Sequence, residues 1–399
     1  MRPVLFDATR LVGRIDRAAP TGIDRVCLAY AEHLLARPVG DLIPVIGRRD
    51  RLSALPLGRF ADMVAGLRRR WTGDVDDAGT EARLRAVLAA PPNGVSMFEP
   101  PPPPERQGWS LTLRRPLPAP PSGALYVNVG HTGLDRPSIL SGLSELGADR
   151  LVMVHDLIPL THPEYCRPGE ADRHRARMRA TLAHATHIVT NSAATAADLT
   201  AFAHKDGLAV PSVIVAHLGL EPPFLRPAWS AAAPPYFVHV GTLEARKNLP
   251  FLLSLWRRLS ERLGVEAPRL VLGGRHGWEN EAILDHLQRS PAIQGLVHQV
   301  ADLPDAALAR LLSSARALLA PSSAEGFDLP AAEARAMGVP VIASDIAVHR
   351  EIAPDAVLLD PLDGPAWLAA IQAPPAAPPA ATPPTWAAHF RAVNAFAGL

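Results

Sequence analysis

The chain has 399 residues, 48% of them apolar, and 40 basic against 39 acidic side chains give a net charge of +1. That length exceeds what one hydrophobic core usually organises, and the apolar content excludes general disorder, so two domains are expected. The basic residues are scattered, which excludes a phosphate-backbone stripe and, with it, nucleic acid as a partner.

Short runs rich in Val, Ile and Leu alternate with longer helical patterns, which predicts an α/β protein built on parallel sheets. In chain order the first half reads VLFD, IDRVCLAYAEHLL, DLIPVI, ALYVNVG, RLVMVHDLIPL, THIVTNS, AATAADLTAFA and SVIVAHLG, one Rossmann-like domain over residues 1–222. Proline crowds residues 90–121, where regular strands and helices are disfavoured and an insertion or long loop is expected. A second break, EPPFLRPAWSAAAPPY at 221–236, predicts an interdomain linker and hinge. The alternation restarts with YFVHVGTLE and runs to AVLLD, a second Rossmann-like domain over residues 232–372. An Ala/Pro tract at 373–384 leads to an amphipathic segment, 385–399. There Trp386, Phe390, Val393 and Phe396 fall at four-, three- and three-residue spacing, one face of a helix.

Two cysteines, Cys27 and Cys166, make no framework or metal-type spacing and are expected as small buried side chains in a reducing compartment. Neither a signal-type apolar run nor a stretch long enough to span a bilayer is visible. The expectation is a cytoplasmic protein, at most peripheral at the inner face of the membrane. Only Lys205 and Lys247 are lysines, which makes each retained lysine informative.

The strongest motif is Glu325-Gly-Phe-Asp-Leu-Pro-Ala-Ala-Glu333, between a strand-like ALLAPS and a helix that Pro330 would open and Gly338 would end. A helix N-terminus beyond a strand's carboxyl end is where α/β sheets bind ligands, and its free N–H groups favour phosphate. Two acidic side chains there can accept hydrogen bonds from sugar hydroxyls, although alone they would serve equally well in a helix-terminal salt bridge. Arg246-Lys247 follows the strand YFVHVG and offers a planar fork and a point charge; a solvated charged turn is the alternative for a bare pair. Gly22 opens a helix where backbone can approach a ligand, or where Thr21 simply caps the helix. His155 and Asp156 end a strand, as do His131 and Asn191, and each of these histidines could equally be a satisfied core residue. His174, His184, His187 and His204 are read as a solvated helical face without metal-ligand spacing. No dinucleotide or Walker loop surrounds Gly273-Gly274, and no G-x-S-x-G elbow is present.

These pieces resemble the retaining glycosyltransferases of family 4, glycosyl transferases group 1, which have the GT-B architecture. The resemblance rests on Glu325 through Glu333, on Val240-Gly-Thr-Leu-Glu-Ala-Arg-Lys-Asn248, and on Thr21-Gly-Ile-Asp-Arg25. His155-Asp156-Leu-Ile-Pro, Thr190-Asn191-Ser192 and Gly277-Trp-Glu-Asn280 add to it, while residues 40–120 match nothing recognisable. It implies two Rossmann-like domains facing a cleft, with the last helix crossing back to the N-terminal domain. It also implies transfer of a hexose or deoxyhexose, with retention, from a nucleotide-diphosphate sugar to a glycan or lipid-linked glycan acceptor in bacterial surface polysaccharide synthesis.

Carried over to this chain, Glu325 contacts the transferred sugar with His155 near it, Glu333 binds the ribose, and Arg246 and Lys247 grip the diphosphate. Gly22, Gly241, Gly326, Phe327, Asp328, Leu329 and Asn191 are the remaining donor-site candidates. Thr242 stands where many members have Arg, and Asp328 where most have Gly, so Asp328 is expected to bond a donor-sugar hydroxyl. No Asp-x-Asp element is present, and transfer is expected to need no metal or other cofactor. A GT-B epimerase, a phosphorylase-like enzyme and a catalytically silent glycan- or nucleotide-binding scaffold are the competing readings.

Overall fold

The computed structural model describes residues 2–38, 40–48, 50–73, 78–89, 115–117, 120–225, 235–278, 280–376 and 381–399. Asp76-Asp77, most of the proline-rich insertion and the middle of the 221–236 linker lie outside these residues. The chain divides into two compact units: Met1–Trp71, Pro104–Gly219 and Pro384–Leu399 in the first, Thr72–Pro103 and Leu220–Pro383 in the second.

The first unit begins with β1 (Val4–Asp7), α1 (Thr9–Val12), α2 (Gly22–Leu35), β2 (Leu42–Arg48), β3 (Arg51–Ala54) and α3 (Leu57–Thr72). The helix α4 (Ala78–Ala89) follows and belongs to the second unit. The first unit resumes with β4 (Arg115–Pro116), β5 (Leu125–Asn128), α5 (Ser138–Glu145), β6 (Asp149–Val154), α6 (Ile158–Thr161), α7 (Glu170–His184), β7 (His187–Thr190), α8 (Ala193–Lys205) and β8 (Ser212–Val215). Its sheet runs β4-β3-β2-β1-β5-β6-β7-β8. From β2 to β8 the neighbours are parallel, with Val4 opposite both Leu42 and Leu125. The β2–β3 and β3–β4 pairs are antiparallel, a departure from the all-parallel expectation. Only residues 49 and 50 separate β2 from β3, which suits a hairpin and is far too short for a parallel crossover. Every residue of β1 and β5 is buried, as sandwiching between helices requires.

The second unit contains β9 (Tyr236–Val240), α9 (Leu249–Leu263), β10 (Arg269–Gly273), α10 (Glu281–Arg289), β11 (Val297–Val300), α11 (Asp305–Ser313), β12 (Leu318–Ala320), α12 (Leu329–Ala336), β13 (Val341–Ser344), α13 (Ala347–Ile352), β14 (Val357–Leu359) and α14 (Gly364–Gln372). Its six strands are parallel in the order β11-β10-β9-β12-β13-β14. One apolar cluster gathers around Val238, Val240 and Leu311, and another around Phe237, Trp256 and Trp367. Each unit is thus a Rossmann-like α/β layer structure.

One assignment is not evident from the sequence pattern. Leu84, Val87 and Leu88 of α4 are buried in the Val238 cluster, Arg83 donates to the Ala301 carbonyl (2.6 Å), and Arg310 pairs with Glu81 (2.7 Å). A segment that follows α3 in the chain therefore completes the core of the other unit. At the far end, α15 (Trp386–Ala397) packs in the first unit: Phe390 stacks on His33 at 3.9 Å, and His389 lies between the Tyr30 hydroxyl (2.8 Å) and the His217 carbonyl (3.0 Å). Phe390 and Val393 are buried, Trp386 and Phe396 half-buried. Gly219 gives the helix its seat, since a Cβ there would come within 2.2 Å of the Trp386 nitrogen. Cys27 is buried as expected, but Cys166, beyond the short 3-10 turn Pro163–Tyr165, is only partly covered.

Candidate active site

In each sheet the chain reverses its direction of strand addition once, at β1/β5 in the first and β9/β12 in the second. Such switch points open a crevice at the strands' carboxyl ends.

In the second unit the crevice is bordered by residues 241–248 after β9 and 321–328 after β12. The two loops are tied by the Ser323 N–H donating to the Arg246 carbonyl (2.8 Å). Arg246 Nη1 donates to Glu325 Oε2 at 2.6 Å, its Nε lies 2.6 Å from Glu244, and Lys247 Nζ bonds Glu325 Oε1. Gly241 makes room for the lysine: a Cβ there would meet Lys247 Cε at 2.9 Å. Burial by itself would raise the Glu325 pKa, but Arg246 and Lys247 overcome it and hold the carboxyl well below the usual range. The structure therefore brings together Glu325, Arg246, Lys247 and Gly241.

Helix α12 begins beside them. Asp328 caps it in the left-handed region (φ +63°), Pro330 occupies the first turn, and Gly338 follows its end at φ +74°. Gly326, Phe327 and Leu329 are buried in this turn, and Glu333 is buried within the helix at 1% exposure. Asp328 turns one carboxylate oxygen to a buried histidine. Its Oδ2 lies 2.9 Å from His349 Nε2, and the residue is buried. His239 on β9 is also buried, its Nδ1 2.9 Å from the Leu319 carbonyl; burial first and Lys247 second lower its pKa to about 4.

In the first unit Gly22 is exposed at the start of α2, and Thr21 and Asp24 form a capping box, with the Thr21 N–H 2.9 Å from Asp24 Oδ2. Arg10, which the sequence reading left out, reaches the same turn: its Nε lies 2.7 Å from Asp24 and its Nη2 3.3 Å from Thr21. A Cβ at Gly130 would come within 2.9 Å of the Arg10 Cβ, so the loop after β5 closes on this arginine. The available signal was a cation three residues past the strand VLFD.

His155 Nε2 donates to the Val129 carbonyl (2.7 Å), and burial lowers its pKa to about 4. The His155 carbonyl accepts from Asn191 Nδ2 (3.0 Å) and Thr195 Oγ1 (3.3 Å), so Asn191 holds the strand end in place. His131, left-handed at φ +58°, lies edge-on to His155 with centroids 5.0 Å apart. His174 is no solvated residue: it is buried, its Nε2 meets the Asp156 carbonyl (3.2 Å), and its Nδ1 accepts from Arg177 (2.9 Å). The expectation of a solvated face fails because α7 turns His174, Arg177 and Thr181 inward. Among the described residues no cluster of three potential metal-ligating side chains occurs.

Residues 234–373 match the family Glycosyl transferases group 1. The serotype-specific mannosyltransferase WbdA of Escherichia coli is 29% identical over 234 residues, covering 54% of this chain and 28% of that protein. The O-antigen chain mannosyltransferase B of Escherichia coli is 36% identical over 129 residues, 32% of this chain and 33% of that protein. The matches thus take in about a third or less of those curated relatives. Among solved structures, Anabaena HepE in complex with UDP superposes with a TM-score of 0.57 at 12% identity, covering 99% of this chain and 95% of that one. Sucrose-phosphate synthase from Thermosynechococcus elongatus gives the same TM-score at 15% identity and the same coverage. The chain has the GT-B fold, and residues 234–373 of its second unit match the family Glycosyl transferases group 1.

Proposed function

We propose that the protein transfers a hexose, with mannose the first candidate, from a nucleotide-diphosphate sugar to a growing bacterial surface glycan, with retention of anomeric configuration. The observation that carries this reading is the Glu325 carboxylate gripped by Arg246 and Lys247 at the switch point of the second sheet. The mannosyltransferase relatives support the sugar and the pathway class.

In this reading Arg246 and Lys247 exchange part of their contact with Glu325 for the donor diphosphate, and Glu325 turns to the sugar that moves. The N-terminus of α12 contributes backbone N–H groups to the same negative charge, and Glu333 takes the ribose hydroxyls. Gly241, Gly326, Phe327 and Leu329 shape the donor turn, while the Gly22 turn addresses the diphosphate. His155, neutral and fixed by Val129, offers its other ring nitrogen to a sugar hydroxyl. As the bond to the diphosphate breaks, the acceptor hydroxyl attacks from the same face and the leaving phosphate takes its proton. Catalysis then rests on positioning and on stabilising the leaving-group charge, with arginine and lysine as permanent cations in place of a divalent metal.

Among the described residues no helix is long and apolar enough to cross a membrane. Contact with a lipid-linked acceptor at the inner membrane face is part of the proposal. A screen of nucleotide-diphosphate sugars tests it: free nucleoside diphosphate should accumulate only when an acceptor glycan is present. Epimerised donor, phosphorolysis, or binding without any turnover would each overturn it.

A further inference from the structure

Asp328 and His349 meet where the Glu325 loop becomes helix α12. Asp328 Oδ2 lies 2.9 Å from His349 Nε2, and His349 Nδ1 lies 2.8 Å from the Ser344 carbonyl at the end of β13. The histidine is fully buried. The carbonyl can only accept, so Nδ1 donates to it, and where the carboxylate accepts as well the ring is an imidazolium. Asp328 itself is left-handed (φ +63°, ψ +69°), a conformation that Asp tolerates better than most side chains but less readily than glycine. It lies three positions after Glu325 and five before Glu333.

We propose that the Asp328–His349 ion pair is a positioning device for the donor site: it clamps the left-handed turn and so fixes the directions of Glu325 and the α12 N-terminus. The inference rests on the donor-site reading above. It replaces the expected sugar contact of Asp328 with a role exerted through the backbone. Where a glycine would adopt this turn unaided, this chain uses a side chain whose strain is balanced by a buried partner.

The groups around the imidazolium agree with its charge. Asp328 at the start of helix α12 faces it, and Arg335 farther along that helix is turned to Asp355. The preceding loop brings Glu325, β13 the Ser344 carbonyl, and Arg350 on the histidine's own helix is engaged by Asp345. Burial alone would push the His349 pKa down; the Asp328 bond and charge, the carbonyl and Glu325 outweigh it and leave it raised. A raised pKa means that the pair is complete below the ordinary histidine range and is lost as pH rises through the folded value.

Nitrogen-15 NMR of the full, ligand-free chain, with the signal assigned by its loss in His349→Gln, should show both His349 ring nitrogens protonated at pH 7. A neutral ring would overturn the proposal. In His349→Gln the amides of Gly326 to Leu329 should exchange about tenfold faster, since the opening they report is local. Both readouts are independent of donor turnover, so they separate this inference from the transferase reading. In turnover, His349→Gln should lower kcat about tenfold with donor KM within about twofold, and abolish the alkaline fall of kcat. The paired change Asp328→Gly with His349→Phe, which removes the charge and allows the turn, should recover much of that loss. A His349→Gln variant that melts earlier yet keeps its amide exchange, kcat and pH profile would reduce the couple to a structural contact and overturn the proposal.

Discussion

Beyond β6 in the first sheet, His155 Nε2 donates to the Val129 carbonyl and His174 accepts from Arg177, and burial lowers the pKa of both rings. In the second unit, Glu325 sits between Arg246 and Lys247 and is held ionised. The first region, beyond β6, is built around neutral imidazoles, and the second, at the β9/β12 switch point, around opposed full charges. A buried neutral histidine becomes costly when protons are supplied; a buried ion pair becomes costly when one partner is removed. The contrast can be broken from either side.

The largest effect is expected from Glu325→Ala. Turnover should fall by at least about a hundredfold, in the range for loss of one transition-state contact. Two clustered cations would also lose their carboxylate, destabilising the fold by about 3 kcal/mol. Nucleoside diphosphate should bind as tightly as before or more tightly, because Arg246 and Lys247 are released. Calorimetry finding weaker nucleotide binding with an unchanged melting temperature would place the charge pairing elsewhere.

Lys247→Ala comes next, with transfer crippled about a hundredfold and no rescue by magnesium or manganese. The unmutated enzyme should keep its rate in excess EDTA. Activity lost in EDTA and restored by a divalent ion would mean that a metal, and not these side chains, neutralises the leaving group.

Glu333→Ala should act on donor binding more than on chemistry, raising KM about tenfold with a smaller change in kcat, as expected for a contact kept from ground state to transition state. Equal losses in kcat alone for Glu325→Ala and Glu333→Ala would erase the distinction between the two.

The neutral side of the contrast is read from stability against pH. His155, His239 and His389 are each lowered by burial to about 4. Between that value and the ordinary histidine pKa near 6.5 the unfolded chain binds more protons, so stability must fall as pH drops through this window. Melting temperatures at pH 7 and pH 5 should differ accordingly; a flat profile would show that the rings are already charged in the fold.

Much of this arrangement was legible in the sequence because it is local. Strand-like runs ending at Val240 and Ala320, Pro330 within a first turn and Gly338 beyond a helix end are carried by neighbouring residues, and the elements form there. The grouping of Glu325 with Arg246 and Lys247 became readable through the family resemblance, since nearly eighty residues separate them. What escaped depends on tertiary contact alone. His349 lies 21 residues from Asp328 with no periodicity linking them, and Arg10 meets Asp24 only through the packing of α2 beside α1. Helix α4 reads as part of an unmatched insertion, although Leu84, Val87 and Leu88 complete the second unit's core.

The most direct test of the account is to follow the anomeric signals by proton NMR while an α-linked nucleotide-diphosphate mannose and an acceptor glycan are incubated with the enzyme. The account predicts an α-linked product as the first species formed, together with stoichiometric nucleoside diphosphate that does not appear without acceptor. A β-linked first product, or diphosphate release that ignores the acceptor, would contradict it.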